Sequence, residues 1–161
     1  MRRIYADVTA RSVQYDESKP VGRTFEAGAP VLVTAERIAS FCAAVGDHNP
    51  LYVDPESAKA GPYGEIIAPP AFVASFHYVD NVFAQLPRFG SGGLMGGIDL
   101  ELEAPIRAGD SIRVSSKVKD TYEKTGRTGT MIFVVICSTL INQKGEVVAR
   151  IDHRMMNRAW P

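Results

Sequence analysis

Residues 70–86 read PAFVASFHYVDNVFAQL, and this stretch decides the fold. It begins with a proline, which suits the first position of a helix because no N–H is needed there. Apolar side chains then cover most sides of the predicted helix; they are Phe72, Val73, Phe76, Val79, Val82, Phe83 and Leu86. A helix that is apolar on most sides has to be buried. The sequence therefore predicts a long, buried central helix over about residues 70–86.

The chain after this helix has the pattern of antiparallel strands. Ile98, Leu100 and Leu102 alternate with acidic residues, a period of two that indicates a strand with one wet face. Further strands are predicted over residues 112–121, 128–141 and 146–155, and a glycine-rich connector over residues 90–97. Helices followed by a run of strands are typical of an α+β domain. We therefore predict an antiparallel sheet wrapped around the central helix.

Shorter elements are predicted before the central helix. Residues 21–26 are typical of a short strand. Thr34 suits an N-cap, apolar residues follow it at spacings of three and four, and Gly46 is a typical helix end. Asp54 and Pro55 are typical of the cap and first position of another short helical turn.

Length and composition describe an ordinary globular domain. The 161 residues are 45% hydrophobic and 22% charged, which is too apolar for a disordered chain. We divide them into an irregular N-terminal arm, residues 1–20, and a single domain, residues 21–161. Eighteen basic residues balance eighteen acidic ones, so nucleic acid is not expected as the main partner.

Apolar runs and cysteines predict a cytoplasmic protein without a cofactor. The longest apolar run, residues 131–137, is far shorter than the about 20 residues that cross a bilayer. In a secretory signal an apolar segment follows the basic start, and this sequence has none there. Cys42 and Cys137 lie far apart in apolar surroundings, which predicts buried thiols in a reducing compartment. The histidines and cysteines lack the spacing of metal ligands, and the glycines of residues 92–97 precede a strand, which disfavours a dinucleotide site.

The most informative polar cluster is AVGDHNPLYVD, residues 44–54. It follows an apolar helix directly, in a loop stiffened by proline, and a scaffold presents a carboxylate at the mouth of a pocket in this way. The same spacing also fits an ordinary helix end followed by a polar loop.

Residues 46–52, GDHNPLY, resemble the signature of the MaoC-like hydratases and dehydratases, Gly-Asp-x-Asn-Pro-(Leu/Ile/Val)-His. Residues 66–72, IIAPPAF, look like the entry to that family's central helix, and residues 105–112, PIRAGDSI, look like its strand turn. The resemblance covers roughly residues 30–157 in the family's order. It implies a hot-dog fold, usually paired as dimers. It also implies addition or removal of water across the 2,3-double bond of an acyl thioester, on coenzyme A or acyl carrier protein.

The resemblance implies only part of a catalytic set. Asp47 matches the family's catalytic aspartate, and Asn49 and Pro50 match the residues that shape its loop. Tyr52 stands where the family has its histidine, and a tyrosine, with a pKa near 10, is a far poorer base at neutral pH than an imidazole. The remaining positions that the resemblance assigns to substrate binding are Ala68, Ala71 and Phe72.

The family's oxyanion position, His-Gly before the central helix, aligns with Ala68 and Pro69, and Pro70 follows. Prolines have no N–H, so two donors for the thioester carbonyl are absent. The first free amide is that of Ala71.

Tyr52 and the Ala-Pro-Pro sequence most resemble the FAS1-like, N-terminal MaoC dehydratase branch, in which one hot-dog unit lacks the histidine and works beside a unit with the full Asp/His pair. This implies a subunit of an (R)-specific 2-enoyl-thioester hydratase or 3-hydroxyacyl-thioester dehydratase. Two alternatives stay open: a self-sufficient homodimer that uses Asp47 with Tyr52 or His77, and a non-catalytic protein that binds acyl thioesters. His48 is expected to be a solvated loop residue, and His153 an exposed sheet residue.

Overall fold

The structure, a computed structural model, describes residues 20–26, 28–76, 82, 85–86, 92–127 and 129–158. The elements are β1 (Thr24–Glu26), β2 (Val31–Leu32), α1 (Ala35–Val45), α2 (Pro50–Val53), α3 (Pro55–Ala60), a 3₁₀ helix (Pro70–Ser75), β3 (Gly92–Leu102), β4 (Ser111–Gly126), β5 (Gly129–Ile141) and β6 (Val147–Arg158). No helix in this described part is long and apolar enough to cross a membrane. The predicted arm, residues 1–20, lies outside the description except for Pro20.

The strands form one antiparallel sheet in the order β1-β4-β5-β6-β3, and β2 pairs with β4. This confirms the predicted α+β class. Alternate side chains of β4 enter the core, among them Ile112, Val114 and Val118, because successive residues of a strand face opposite sides of the sheet. Ser116 shares this inner face, and its buried hydroxyl lies 2.9 Å from that of Ser138 on β5, so both polar groups are satisfied.

Two apolar clusters fill the space over the inner face of the sheet. The first joins Phe72 and Phe76 to α1 and to the inner residues of β4, β5 and β6. Phe72 is 1% exposed and makes edge-to-face contacts with Phe41 at 5.4 Å and with Phe76 at 5.7 Å between ring centroids. The second cluster contains Val82 and Leu86. The segment predicted to be central is therefore buried at its apolar positions Phe72, Val73, Phe76, Val82 and Leu86, whereas Pro70, Ala71 and Ala74 are exposed.

The central segment begins at Pro70, as predicted, but its first six residues form a 3₁₀ helix rather than an α-helix. The amide of Phe72 donates to the carbonyl of Pro69 over 2.9 Å, an i→i+3 bond. The helix ends before Phe76, and residues 77–81, 83–84 and 87–91 lie outside the described part of the chain.

The glycine-rich connector predicted over residues 90–97 is wrong where the structure describes it, because residues 92–97 belong to β3. β3 runs close beside β6 and carries a bulge between Met95 and Gly97. A Cβ on Gly96 would lie 3.3 Å from the carbonyl oxygen of Arg154 and 3.5 Å from the ring of Phe133. Glycine therefore permits the close approach of the two strands here, instead of interrupting the sheet.

Candidate active site

The end of α1 presents Asp47. Thr34 caps the start of this helix by accepting a hydrogen bond from the amide of Arg37, and Gly46 ends it with φ of 74°, both as predicted. The amides of Gly46 and Asp47 both donate to the carbonyl of Cys42, that of Asp47 over 2.9 Å, which caps the end of the helix. The carboxylate is thereby fixed immediately after an apolar helix.

Hydrogen bonds within the loop connect Asp47 to the helix that carries Tyr52. Asp47 Oδ1 accepts a bond from the amide of Asn49 at 3.1 Å. The side chain of Asn49 caps α2 by accepting a bond from the amide of Leu51, also at 3.1 Å, and Pro50 is the first residue of α2. Asn49 and Pro50 thus shape the loop, as the family pattern implies.

Tyr52 opens onto a cavity of about 320 Å³, which we call the Tyr52 cavity. Its lining residues are Leu51, Tyr52, Tyr63, Ile67, Ala68, Pro69, Pro70, Val73, Leu102, Glu103, Ala104, Pro105 and Ile106. The volume lies within the range of small-ligand pockets, and most of the lining is apolar. Of the residues proposed from the sequence, Tyr52 and Ala68 belong to the lining. The other described ones are not part of it: Asp47, Asn49, Pro50, Ala71 and Phe72.

Asp47 acts on Tyr52 through its charge. Burial is the main reason that the pKa of Tyr52 is raised, and the negative charge of Asp47 raises it further. Burial and then Asp47 likewise raise the pKa of the Cys42 thiol, which is fully buried behind the loop. Tyr52 is consequently a neutral phenol at pH 7, which can donate a hydrogen bond but is a poor base.

The chain segment that leads into the 3₁₀ helix forms one wall of the cavity. The amide of Ala68 donates to the carbonyl of Ile106 over 2.7 Å, and the amide of Ala108 donates to the carbonyl of Ile66 over 3.1 Å. The amide of Ala71 has no hydrogen-bond partner among the described residues, but Ala71 is exposed and is not part of the lining.

Asp110 supports this wall through hydrogen bonds. It was not among the site residues predicted from the sequence. Its side chain is 4% exposed and accepts bonds from the amide of Arg107 at 2.8 Å and from the side chain of Gln143 at 3.0 Å. The turn that contains Asp110 pairs with Ile67 through Arg107. The Gly-Asp turn in the sequence was the available signal for this role.

Tyr63 and Glu103 line the cavity and were also missed. Tyr63 lies in a turn after α3, and Glu103, just past the end of β3, forms an ion pair with Arg150 of β6. No sequence pattern marked either residue, because the chain brings them together from separate loops.

The histidines occupy three different surroundings. His48 is exposed in the loop, as expected. His153 pairs with Ile136 in the sheet, on the inner face, and is half-buried, so the expectation of an exposed residue was wrong. The acidic and basic neighbours of His153 in sequence face the other side of the strand. His77 lies outside the described residues, and no cluster suited to a metal ion exists among the residues that are described.

A model of the FAS1-like dehydratase domain region matches residues 19–151 of the chain. The UPF0336 protein of Streptomyces avermitilis is 37% identical over 143 residues, which cover 86% of this chain and 93% of that protein. Among solved structures, the MaoC-like dehydratase of Rhodospirillum rubrum superposes with a TM-score of 0.71 at 27% identity, over 90% of this chain and 97% of that one.

A second solved structure, the C-terminally truncated HadBC (3R-hydroxyacyl-ACP dehydratase) complex of Mycobacterium tuberculosis, superposes with a TM-score of 0.74. The superposition covers 86% of this chain and 98% of the matched chain. At 20% identity, it shows a likeness of fold. The sheet packed over the segment that starts at Pro70 is therefore the hot-dog fold. With the family model covering most of its length, the chain belongs to the FAS1-like dehydratases, within the MaoC-like hot-dog dehydratase family.

Proposed function

We propose that this chain is one subunit of an (R)-specific 2-enoyl-thioester hydratase or 3-hydroxyacyl-thioester dehydratase, and that a hot-dog partner supplies the catalytic histidine. The substrate is an acyl thioester of coenzyme A or acyl carrier protein. The single observation that carries the proposal is the composition of the Tyr52 cavity. A neutral phenol lies where the family has its histidine, and no described lining residue is a histidine.

Hydration of an enoyl thioester needs two proton transfers. One group takes a proton from the attacking water, and another delivers a proton to the α-carbon. We assign one of these functions to Asp47, because its half-buried carboxylate is bonded within the loop that leads to Tyr52, and its charge acts on Tyr52. Tyr52 is badly matched to the other function at neutral pH, so an imidazole from the partner completes the pair.

The free edge of the sheet supports a partner at this site. β3 is the last strand of the sheet, and among the described strands only β6 pairs with it. Its inner-facing side chains Ile98, Leu100 and Leu102 are 55%, 43% and 46% exposed, an apolar row on an unpaired edge. Leu102 also lines the Tyr52 cavity. A second hot-dog unit along β3 therefore covers this row and reaches the cavity.

A non-catalytic acyl-thioester-binding protein is the second candidate function. It is supported by the same lack of a histidine among the described lining residues. The two free thiols, Cys42 and Cys137, fit a reducing compartment, and we assign the protein to the cytoplasm.

The test is to purify the chain with a histidine-bearing hot-dog chain from the same organism and to measure hydration of crotonyl-CoA and longer 2-enoyl-CoA substrates. We expect the mixture to be active and Asp47→Asn to lower kcat by about 10²–10⁴, the usual cost of losing a positioned acid or base. Asp120→Asn, at an exposed position of β4, is the matched control. Undiminished activity of Asp47→Asn would remove Asp47 from the mechanism. An inactive mixture that still binds acyl-CoA would favour the binding protein.

A further inference from the structure

The backbone amides around the Tyr52 cavity are used within the protein. The amide of Ile67 donates to the carbonyl of Leu51, and the amide of Ala68 donates to the carbonyl of Ile106. The amides of Glu103 and Ala104 both donate to the carbonyl of Val148, at 3.0 and 3.3 Å. The amide of Leu51 donates to the side chain of Asn49, which caps α2, and the amide of Tyr52 donates to the carbonyl of Asn49. These six wall amides are therefore not available to a ligand.

Three other lining residues are prolines, Pro69, Pro70 and Pro105, and have no N–H at all. A carbonyl oxygen that enters the cavity consequently meets few backbone donors. Leaving such an oxygen without a hydrogen bond in an apolar pocket is costly, so a ligand with a carbonyl group needs donors from side chains.

Two phenols line the same cavity, Tyr52 and Tyr63. Neither hydroxyl takes part in a hydrogen bond within the described part of the chain. The two phenols interact electrostatically, since Tyr63 contributes to the raised pKa of Tyr52. A tyrosine is protonated at neutral pH even with its ordinary pKa, so the Tyr52 hydroxyl is in the form that donates.

Local structure fixes Tyr63 close to the helix of Tyr52. The loop of Tyr63 starts at Gly61, where a Cβ would lie 2.7 Å from the side chain of Leu51 on α2, so the loop packs tightly against that helix. Arg107 donates to the carbonyl of Tyr63 over 3.2 Å and forms an ion pair with Glu65 at 2.9 Å. The loop is therefore held from both sides.

We propose that the hydroxyls of Tyr52 and Tyr63 bind the carbonyl oxygen of the acyl thioester, in place of backbone amides. The proposal rests on the acyl-thioester function proposed above and gives Tyr63 a role in substrate binding. Both hydroxyls donate to the same oxygen, which accepts through its two lone pairs.

The experiment compares two ligands that differ only at this oxygen. Butyryl-CoA has the thioester carbonyl, and S-butyl-CoA has a methylene group in its place; neither is a substrate for hydration. Their dissociation constants are measured by titration calorimetry for the purified wild-type chain and for Tyr52→Phe, Tyr63→Phe and Tyr122→Phe. Tyr122 stacks on Phe133 at 4.9 Å in the sheet, outside the cavity lining, and serves as the control. Thermal unfolding checks that each variant is folded. If Tyr52→Phe does not fold, the result for Tyr63→Phe decides the test, because Tyr63 is 42% exposed and its substitution is better tolerated.

We expect each cavity variant to bind butyryl-CoA about 3- to 10-fold more weakly, the usual effect of one lost hydrogen bond, and to bind S-butyl-CoA as the wild type does. Equal weakening for both ligands, or no change for either, overturns the phenol proposal and leaves the proposed function in place. A wild-type chain that binds neither ligand, both alone and mixed with its histidine-bearing partner, overturns both.

Discussion

The amide of Asn49 donates a hydrogen bond to Asp47 Oδ1 at 3.1 Å, and the side chain of the same asparagine caps the helix that carries Tyr52. One short loop thus sets the positions of a carboxylate and a phenol relative to each other. The carboxylate has a structural function in the loop and, in our proposal, a chemical one. Substitutions can separate these two functions.

Asp47→Asn keeps an oxygen acceptor for the amide of Asn49, whereas Asp47→Ala removes it. We expect the free energy of unfolding of the asparagine variant to lie within about 0.5 kcal/mol of the wild-type value. That of the alanine variant should be lower by about 1 kcal/mol, the usual value of one hydrogen bond. Urea unfolding followed by circular dichroism measures both. Equal free energies of unfolding for the two variants would show that the bond does not stabilise the loop.

Asp110 is expected to stabilise the wall of the Tyr52 cavity. Asp110→Ala leaves the amide of Arg107 and the side chain of Gln143 without their acceptor, and we expect it to lower the free energy of unfolding by about 3 kcal/mol. Glu123→Ala, at an exposed position of β4, serves as the control and should cost less than about 0.5 kcal/mol. A change no larger than that of the control would contradict a supporting role for Asp110.

The raised pKa of Tyr52 has a consequence above pH 10, its ordinary value. As the pH rises through that value, the unfolded chain loses the phenol proton while the folded chain keeps it, so ionisation favours unfolding and stability falls. Tyr52→Phe should therefore lose less stability than wild type between pH 9.5 and about 11. Parallel stability curves for the two proteins over this interval would mean that folding does not perturb Tyr52.

Leu100→Glu tests the edge of β3 as an assembly surface. A carboxylate in the centre of the apolar row is expected to convert a dimeric or heteromeric assembly into separate chains, because the charge cannot be buried without a partner. Leu32→Glu, at an apolar position on β2 that is 56% exposed, introduces the same charge elsewhere. Sedimentation velocity should show dissociation of the first variant only; an intact assembly in both would exclude this edge.

The parts of the structure that follow from local chemistry were predictable. Thr34, Gly46 and Pro70 mark helix boundaries through their own side chains or backbone, and all three boundaries are confirmed. The strand over residues 92–97 was not predictable, because its glycines are explained by the close approach of β6, a tertiary contact.

The site was predictable only where one segment carries it. Asp47 and Tyr52 lie five positions apart in a recognisable motif, and the structure links them through a single loop. Tyr63 enters the cavity from another turn, and Asp110 acts from the far side of the cavity wall. Tyr63 has no local pattern, and the Gly-Asp turn that contains Asp110 does not reveal which wall it supports, since the fold brings both residues to the site.

The central claim is that this chain lacks part of the catalytic machinery and obtains it from a partner. The most direct measurement is the kcat of the purified chain alone on crotonyl-CoA, compared with that of the chain mixed with its histidine-bearing partner. The account predicts that the chain alone is slower by at least about 10²-fold, the lower end of what a missing acid or base costs. Equal rates for the chain alone and for the mixture, abolished by Tyr52→Phe or His77→Ala, would contradict the account and show a self-sufficient homodimer.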